Sequence, residues 1–378
     1  MIPTALVIGD THFKNSVKGS TYNDSLEFIQ RVTDIAKKHK PTFIVLLGDI
    51  LDSHKIQVHT HKLAEKLISN LSAISQTYIL IGNHDFINNS QFLTDNHIFT
   101  PFKKWKNVHI ADVQPLVLEI AEKMFIFCPY TPPGRFQEAL DKLTESGYNW
   151  DLADCIFAHQ EFKGASNGKT ISTKGDDWDE DFPIVISGHI HEESQIRENI
   201  FYTGSSTQVN FGESQQKNVW IVKWEDEDES SFKIEKISVV GKIKKNLSQS
   251  VESFVENMSN KSTLKELQSQ PHKIVLTGNS EEIKAFKKSK LCKQLSDVSS
   301  NVSFEYELED TIIIEPVSHN NKNTTYREVF HNLIKELPET AHREYESLFG
   351  RTLKMKEVPL SSDINEEGPI ELVFEGYS

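Results

Sequence analysis

The stretch "FIVLLGD", residues 43–49, decides the fold. An unbroken apolar run ends in Gly48 and Asp49. Such a run, bounded by a turn residue, reads as a strand buried on both faces. Strands of that kind belong to α/β layers, in which helices cover the faces of a sheet. Taken alone, a Gly-Asp pair at a strand end is ordinary turn chemistry.

Working outward, the same beat recurs. "ALVI" (5–8) precedes Gly9, Asp10, Thr11 and His12, and "YILI" (78–81) precedes Gly82, Asn83, His84 and Asp85. "CIFA" (155–158) precedes His159, and "IVIS" (184–187) precedes Gly188, His189, Ile190 and His191. Another buried strand lies in "KMFIFCPY" (123–130). Helical patterns fall between the runs. Leu26, Ile29, Val32, Ile35 and Ala36 share one face of a helix capped at Asn23 or Asp24 and stopped by Pro41. Others cover 62–74 and the neighbourhood of 134–143. From about Gln195 the runs alternate instead, in 195–206, 217–226 and 231–240, with the charged "EDEDES" (225–230) as a hairpin tip. They predict an antiparallel sheet completing a first domain, residues 1–240.

Past residue 240 the texture turns lysine-rich and polar. Residues 248–262 read as a linker or weak helix. Residues 272–308 read strand–turn–helix–strand, a small α/β module within 241–318. Val329, Phe330, Leu333, Ile334 and Leu337 mark an amphipathic helix ending at Pro338, and a second one covers 341–349. Residues 319–378 are thus expected to form a helical C-terminal segment.

At 378 residues the chain exceeds one simple core. Hydrophobic content of 37% and charged content of 25% are those of a soluble globular protein. No apolar run approaches the roughly 20 residues that span a bilayer, so no membrane partner is expected. "MIPTALVIGD" (1–10) lacks the basic start and cleavage site of a signal peptide. Cys128, Cys155 and Cys292 show neither disulfide nor metal spacing. These features predict a cytoplasmic location, nucleoid or nuclear if DNA is the substrate, and not a secreted one. The net charge of −14 argues against broad, unaided binding to nucleic acid, though not against a local basic surface. It also fits a pocket that gathers carboxylates around cations.

Singly, "DTH" and "GNHD" are polar turns, and His159 is an ordinary core or rim histidine. "GHIH" is the sharpest signal, yet two imidazoles cannot fill a metal site. Together, D-x-H, GD, GNHD, H and GHxH, each at a strand end, bring carboxylate, imidazole and amide groups to one sheet edge. That edge is where α/β folds collect ligands. Oxygen and imidazole donors without thiolate suit manganese, iron or zinc rather than a structural zinc site. The set therefore points to a dinuclear metal site.

This ordered set resembles the calcineurin-like metallophosphoesterase superfamily in every motif. The resemblance implies a four-layer α/β sandwich, with helices flanking two mixed sheets. It implies one metal on Asp10, His12 and His191, another on Asn83, His159 and His189, and Asp49 bridging them. The implied cofactors are two divalent ions, manganese first, with magnesium, iron or zinc as alternatives. His84 is then free to act in catalysis beside Asp49, protonating the leaving group or steadying the charged transition state. Asp85 either orients His84 or caps the next turn. Asp52 either supports the ligands from behind or is a helix-start carboxylate.

"FYTGSSTQVNFGE" (201–213) resembles the Y-P-G-S…F-x-E stretch of the SbcD/Mre-type double-strand-break repair nucleases, and "GDILDS" (48–53) is close to their second motif. Thr203 replaces the usual proline, and Gln208 occupies a variable position. This resemblance implies a DNA exo- or endonuclease subunit in repair or recombination, a homodimer working with an SbcC-type coiled-coil ATPase. It makes 241–318 a capping domain, and 319–378 a segment that docks on the ATPase or folds back. Lys284, Lys287 and Lys288 share a helix face that could track DNA phosphates or be plain solvated surface. The alternatives are a stand-alone phosphodiesterase or phosphatase and a non-catalytic scaffold tethering DNA or the ATPase. A scaffold would be expected to have lost ligands. Three other features carry no chemistry in this reading. His59 and His61 do not share a helix face, "GASNGKT" (164–170) is one residue short of a P-loop and reads as a loop over the metals, and "DDWDED" (176–181) reads as solvated surface.

Overall fold

The run that opens the sequence argument is a strand in which every residue is buried. The computed structural model describes residues 2–15, 21–88, 90–167, 170–225, 232–258, 267, 271–298 and 302–308. Strands β1 (Thr4–Ile8), β2 (Phe43–Leu46), β3 (Gln76–Leu80) and β4 (Val108–Ala111) lie side by side and parallel. Helices α1 (Thr21–His39) and α2 (Val58–Ser72) connect the first three. A second sheet takes β5 (Leu116–Ile120), β6 (Lys123–Phe127), β7 (Cys155–Ala158), β10 (Val185–Ser187), β11 (Ser194–Arg197) and β12 (Ile200–Tyr202). Helix α3 (Phe136–Glu145) precedes β7, and the short pair β8 (Ser166–Asn167) and β9 (Thr170–Ile171) precedes β10. Strands β13 (Asn218–Trp224) and β14 (Phe232–Ser238) return to the first sheet. Both sheets have six strands, in the orders β14-β13-β1-β2-β3-β4 and β11-β12-β10-β7-β6-β5.

Three apolar layers hold these elements. Between the sheets, Val7, Phe43, Val45, Phe125, Phe127, Phe157 and Trp220 interdigitate. Residues of α1 and α2 cover the other face of the first sheet, against Leu6, Ile44 and Ile79. Helix α3 covers the second, against Ile126 and Ile156. The result is helix, sheet, sheet, helix, a mixed α/β fold. Phe43 sits at the centre, its ring 5.1 Å from that of Phe125 and 5.9 Å from that of Phe127.

Several expectations are corrected. The strands after Gln195 do not form one antiparallel sheet: β12 pairs parallel with β10, while β13 pairs antiparallel with β1. Fully buried Ile200 and Tyr202 pack in the α3 core, whereas Trp220 and Val222 face the layer between the sheets. Helix α1 starts at Thr21, so Asn23 and Asp24 lie in its first turn. Asp24 instead pairs with Lys242 at 3.1 Å. Strands β4 and β5 are not among the expected elements. Residues 176–181 are not all solvated surface, because Asp176 and Trp178 are buried. The Asp176 carboxylate accepts from the backbone N–H groups of Gly134 and Phe136.

Beyond residue 240, β15 (Lys245–Ser250), β16 (His272–Gly278) and β17 (Val302–Leu308) make a parallel three-stranded sheet. Helix α4 (Val251–Asn257) stands where a linker or weak helix was expected, with Ser250 as N-cap accepting from Ser253 N–H at 3.2 Å. Two helices, α5 (Ser280–Lys288) and α6 (Lys290–Val298), replace the single one expected. Ser289 is extended, and its hydroxyl accepts from Cys292 N–H at 3.0 Å, so it ends one helix and caps the next. Phe254, Ile274, Leu276 and Phe286 form a separate core here. Lys284, Lys287 and Lys288 are exposed on α5, with the Lys287 ammonium 4.1 Å from the centre of the Tyr306 ring. The 319–378 segment lies outside the described residues. Among those described, no helix is long and apolar enough to cross a membrane, and all three cysteines are free and buried.

Candidate metal centre

The parallel strands β1, β2 and β3 end on one edge of their sheet, and β7 and β10 end opposite them in the other. Each delivers its next residues to the gap. Asp10, His12 and His191 offer ligand atoms within 4.8 Å of one another, and so do Asp49, His159 and His189. Nε2 of His12 lies 3.0 Å from Nε2 of His191, 3.8 Å from Asp10 Oδ2 and 3.7 Å from Asp49 Oδ2. Nε2 of His159 lies 3.3 Å from the same Asp49 oxygen and 3.1 Å from Asn83 Oδ1. Asn83 Oδ1 is also 2.9 Å from His189 Nδ1. Two donor groups thus meet at one carboxylate oxygen. All seven residues expected as ligands come together here.

The backbone is bent to achieve this. His12, Asp49 and His189 have φ of +43°, +44° and +78°, in the left-handed region that side chains disfavour. Gly48 precedes Asp49 at φ +104°. At Gly188 there is no room for a side chain, since a Cβ would fall 2.5 Å from Asp10 Oδ1.

Electrostatics shows what the cluster lacks. Burial by itself would push the pKa of His159 down. The carboxylates of Asp49 and Asp10 outweigh it and hold the ring at about 9. Burial opposes ionisation of Asp49 and Asp10 too, yet the neighbouring imidazoles, His159 first, keep both carboxyls below their ordinary range. Two buried carboxylates ringed by imidazole nitrogens are a hole for positive charge. Nε2 of His12 and Nε2 of His191, aimed at each other at 3.0 Å, need a proton or a cation between them. Oxygen and imidazole donors without sulfur fit divalent metal ions.

The comparisons with known proteins agree. The family described as "Calcineurin-like phosphoesterase" matches residues 3–193. "Putative phosphoesterase 244L" of Invertebrate iridescent virus 6 is 38% identical over 295 residues, which is 76% of this chain and 98% of that protein. "Putative phosphoesterase 078R" of Invertebrate iridescent virus 3 is 35% identical over 308 residues, 80% of this chain and 84% of that one. The chain belongs to the calcineurin-like phosphoesterases.

In this phosphoesterase the residues behind the cluster set the ring orientations. His159 Nδ1–H donates to the Leu47 carbonyl at 2.7 Å, which turns Nε2 inward. His191 Nδ1 faces Glu213 Oε1 at 2.9 Å, with the same effect. Glu213 is itself gripped by Val209 N–H at 2.9 Å, Asn210 N–H at 3.1 Å and the Lys217 ammonium at 3.1 Å. Its pKa falls to about 2: burial raises it, and the His191 contact and Lys217 more than reverse that. Sequence reasoning gave Glu213 no role beyond its place in the F-x-E pattern. Its only other signal is a carboxylate 22 residues beyond His191.

His84 stands at the mouth, half exposed, with Nε2 4.0 Å from Asp49 Oδ2. Its Nδ1–H donates to the main-chain carbonyl of Asp52 at 2.9 Å. Asp52 thus holds His84 through its backbone, and its carboxylate lies 3.8 Å from His12 Nδ1. The Asp85 carboxylate does not touch His84. It accepts from Gly82 N–H at 3.1 Å, Leu51 N–H at 3.0 Å and Ile50 N–H at 3.3 Å, tying the turns after β2 and β3 together. Burial and the nearby Asp49 raise its pKa to about 7.

Proposed function

We propose that this phosphoesterase is a two-metal DNA nuclease subunit that processes DNA ends as a homodimer with an SbcC-type ATPase docked on 319–378. The observation that supports a long, charged substrate is the cleft beside the metal centre. It has a volume of about 420 Å³ and runs from Thr11 and His12 past Lys14 and Lys244 to Val302 and Ser303. The 201–213 stretch, which carries the nuclease resemblance, forms one wall of it through Ser206, Thr207, Gln208 and Val209. The same stretch ends at Glu213, against His191.

In this reading Asp10, His12 and His191 would hold one ion, and Asn83, His159 and His189 the other, with the Asp49 carboxylate open to both. Manganese is the first choice. Bound there, the pair would neutralise phosphate oxygens and make water a nucleophile at neutral pH. The chain's own residues do the rest. The Asp52 carbonyl keeps a proton on His84 Nδ1, so Nε2 is the atom that exchanges its proton. That atom faces the site and can protonate the leaving oxygen or bond to developing charge. With a net charge of −14, most DNA affinity is left to the partner and to local basic surface.

The test is cleavage of linear DNA across divalent metals, with and without the ATPase. Manganese-dependent cutting is expected to fall roughly 10²–10⁴-fold in His84→Ala, with manganese affinity kept. Hydrolysis of p-nitrophenyl diesters but never of DNA would refute the nuclease reading and leave the small-substrate enzyme.

A further inference from the structure

We propose that Lys14 and Lys244 form a second phosphate-binding site, beside the metal centre, for a non-scissile phosphate of a nucleic-acid strand. The inference rests on the nuclease reading for the strand and on separate geometry for the site. Lys14 follows β1, and Lys244 precedes β15. Their ammonium groups converge on one backbone oxygen: Lys14 Nζ donates to the Val209 carbonyl at 3.1 Å, and Lys244 Nζ donates to it at 2.7 Å. Lys244 Nζ also donates to the Gln208 carbonyl.

Neither is a loose surface lysine. Gln208 pairs with the Lys244 main chain in both directions, its Oε1 accepting from Lys244 N–H at 2.7 Å and its Nε2 donating to Lys244 O at 3.1 Å. The Lys14 side chain is one-third exposed, at 33%. An ammonium has three N–H donors. Two of those on Lys244 are used by the carbonyls of 208 and 209, and one remains.

Two cations at one oxygen repel each other. Burial, then Lys14, pull the Lys244 pKa down to about 8, against the opposing pull of Glu213 and Asp52. Asp52 is the carboxylate paired with Lys14, at 3.7 Å, and among the described residues no carboxylate forms an ion pair with Lys244. A phosphate oxygen would take the spare N–H of each lysine and relieve that repulsion. The pair lies in the same cleft as Thr11 and His12, so a strand with one phosphate at the metals has its neighbours within reach. A substrate with a single phosphate could not use both places.

The test measures binding of a fluorescent oligothymidylate by anisotropy from 50 to 200 mM salt. It uses the full chain with manganese, in the His84→Ala background, so that the strand stays intact. Adding Lys14→Gln and Lys244→Met is expected to weaken binding about tenfold or more. It should also flatten the slope of log affinity against log salt by about 0.7, the value for one lost phosphate contact on a single strand. Lys14→Arg with Lys244→Arg should restore the slope. With wild-type His84, the oligothymidylate-to-diester ratio of kcat/KM should fall in parallel. Affinity and slope unchanged in the double variant, or no strand binding at all, would overturn the site. Binding lost as expected in a protein that never cuts DNA would support the site and refute only the nuclease reading.

Discussion

Glu213→Gln isolates one carboxylate that holds a histidine of the metal centre without joining it. The carboxyl is depressed from 4.5 to about 2. At about 1.4 kcal/mol per pKa unit, that is a stabilisation of about 3 kcal/mol. Solvent screens part of it, since the His191 side chain, whose contact lowers the pKa most, is 20% exposed. The depressed pKa puts the full contribution above the unfolded value and loses it as pH falls toward about 2. At pH 7 the substitution should therefore cost the metal-free protein roughly 1–3 kcal/mol in urea unfolding followed by circular dichroism. The glutamine keeps the size, but its NH₂ group would face the Asn210 N–H and His191 in one orientation, or the Val209 N–H and the Lys217 ammonium in the other. His191 then has either no acceptor or a neutral amide oxygen in place of the carboxylate. Loss of such a support typically costs about 10–100-fold in metal affinity. Manganese titration by electron paramagnetic resonance should show that loss at the His191 ion and little change at the other. Wild-type affinity at both ions, with stability within about 0.5 kcal/mol of wild type, would refute the reasoning.

Phe43→Ala should cost about 3–5 kcal/mol, because the ring fills the layer between the sheets; chemical denaturation checks it. Strand binding should weaken as pH rises through about 8, where Lys244 loses its proton. Burial first, then Lys14 and Lys217, push that pKa down, Glu213 and Asp52 push it up, and Lys244→Arg should remove the dependence. Because the folded pKa lies below the ordinary 10.5, the unfolded chain binds the extra proton between the two values. This group should thus make the fold more stable as pH rises from about 8 toward 10.5, as thermal unfolding without ligand would show.

The α/β class and the seven clustered donors were legible in the sequence because the signals are local. A buried strand is a short apolar run, and each donor sits within four residues of a strand's end. The parallel order of the strands then brings those ends together. Elements were lost where local signals fade. Strand β5 is only partly buried, and the exposed Glu119 breaks its apolar run. The periodicity of 280–298 continues across Ser289, and the break depends on a hydroxyl capping the next turn.

Tertiary structure alone decided which sheet each later strand joins, since a strand's own sequence does not name its partner. It alone placed Glu213 against His191, Asp85 across two turns, and Lys14 beside Lys244. These side chains meet across 22 to 230 positions of chain. Local periodicity sets what an element is; which elements pack, and so which side chains meet, is set by burying the sheet faces against one another.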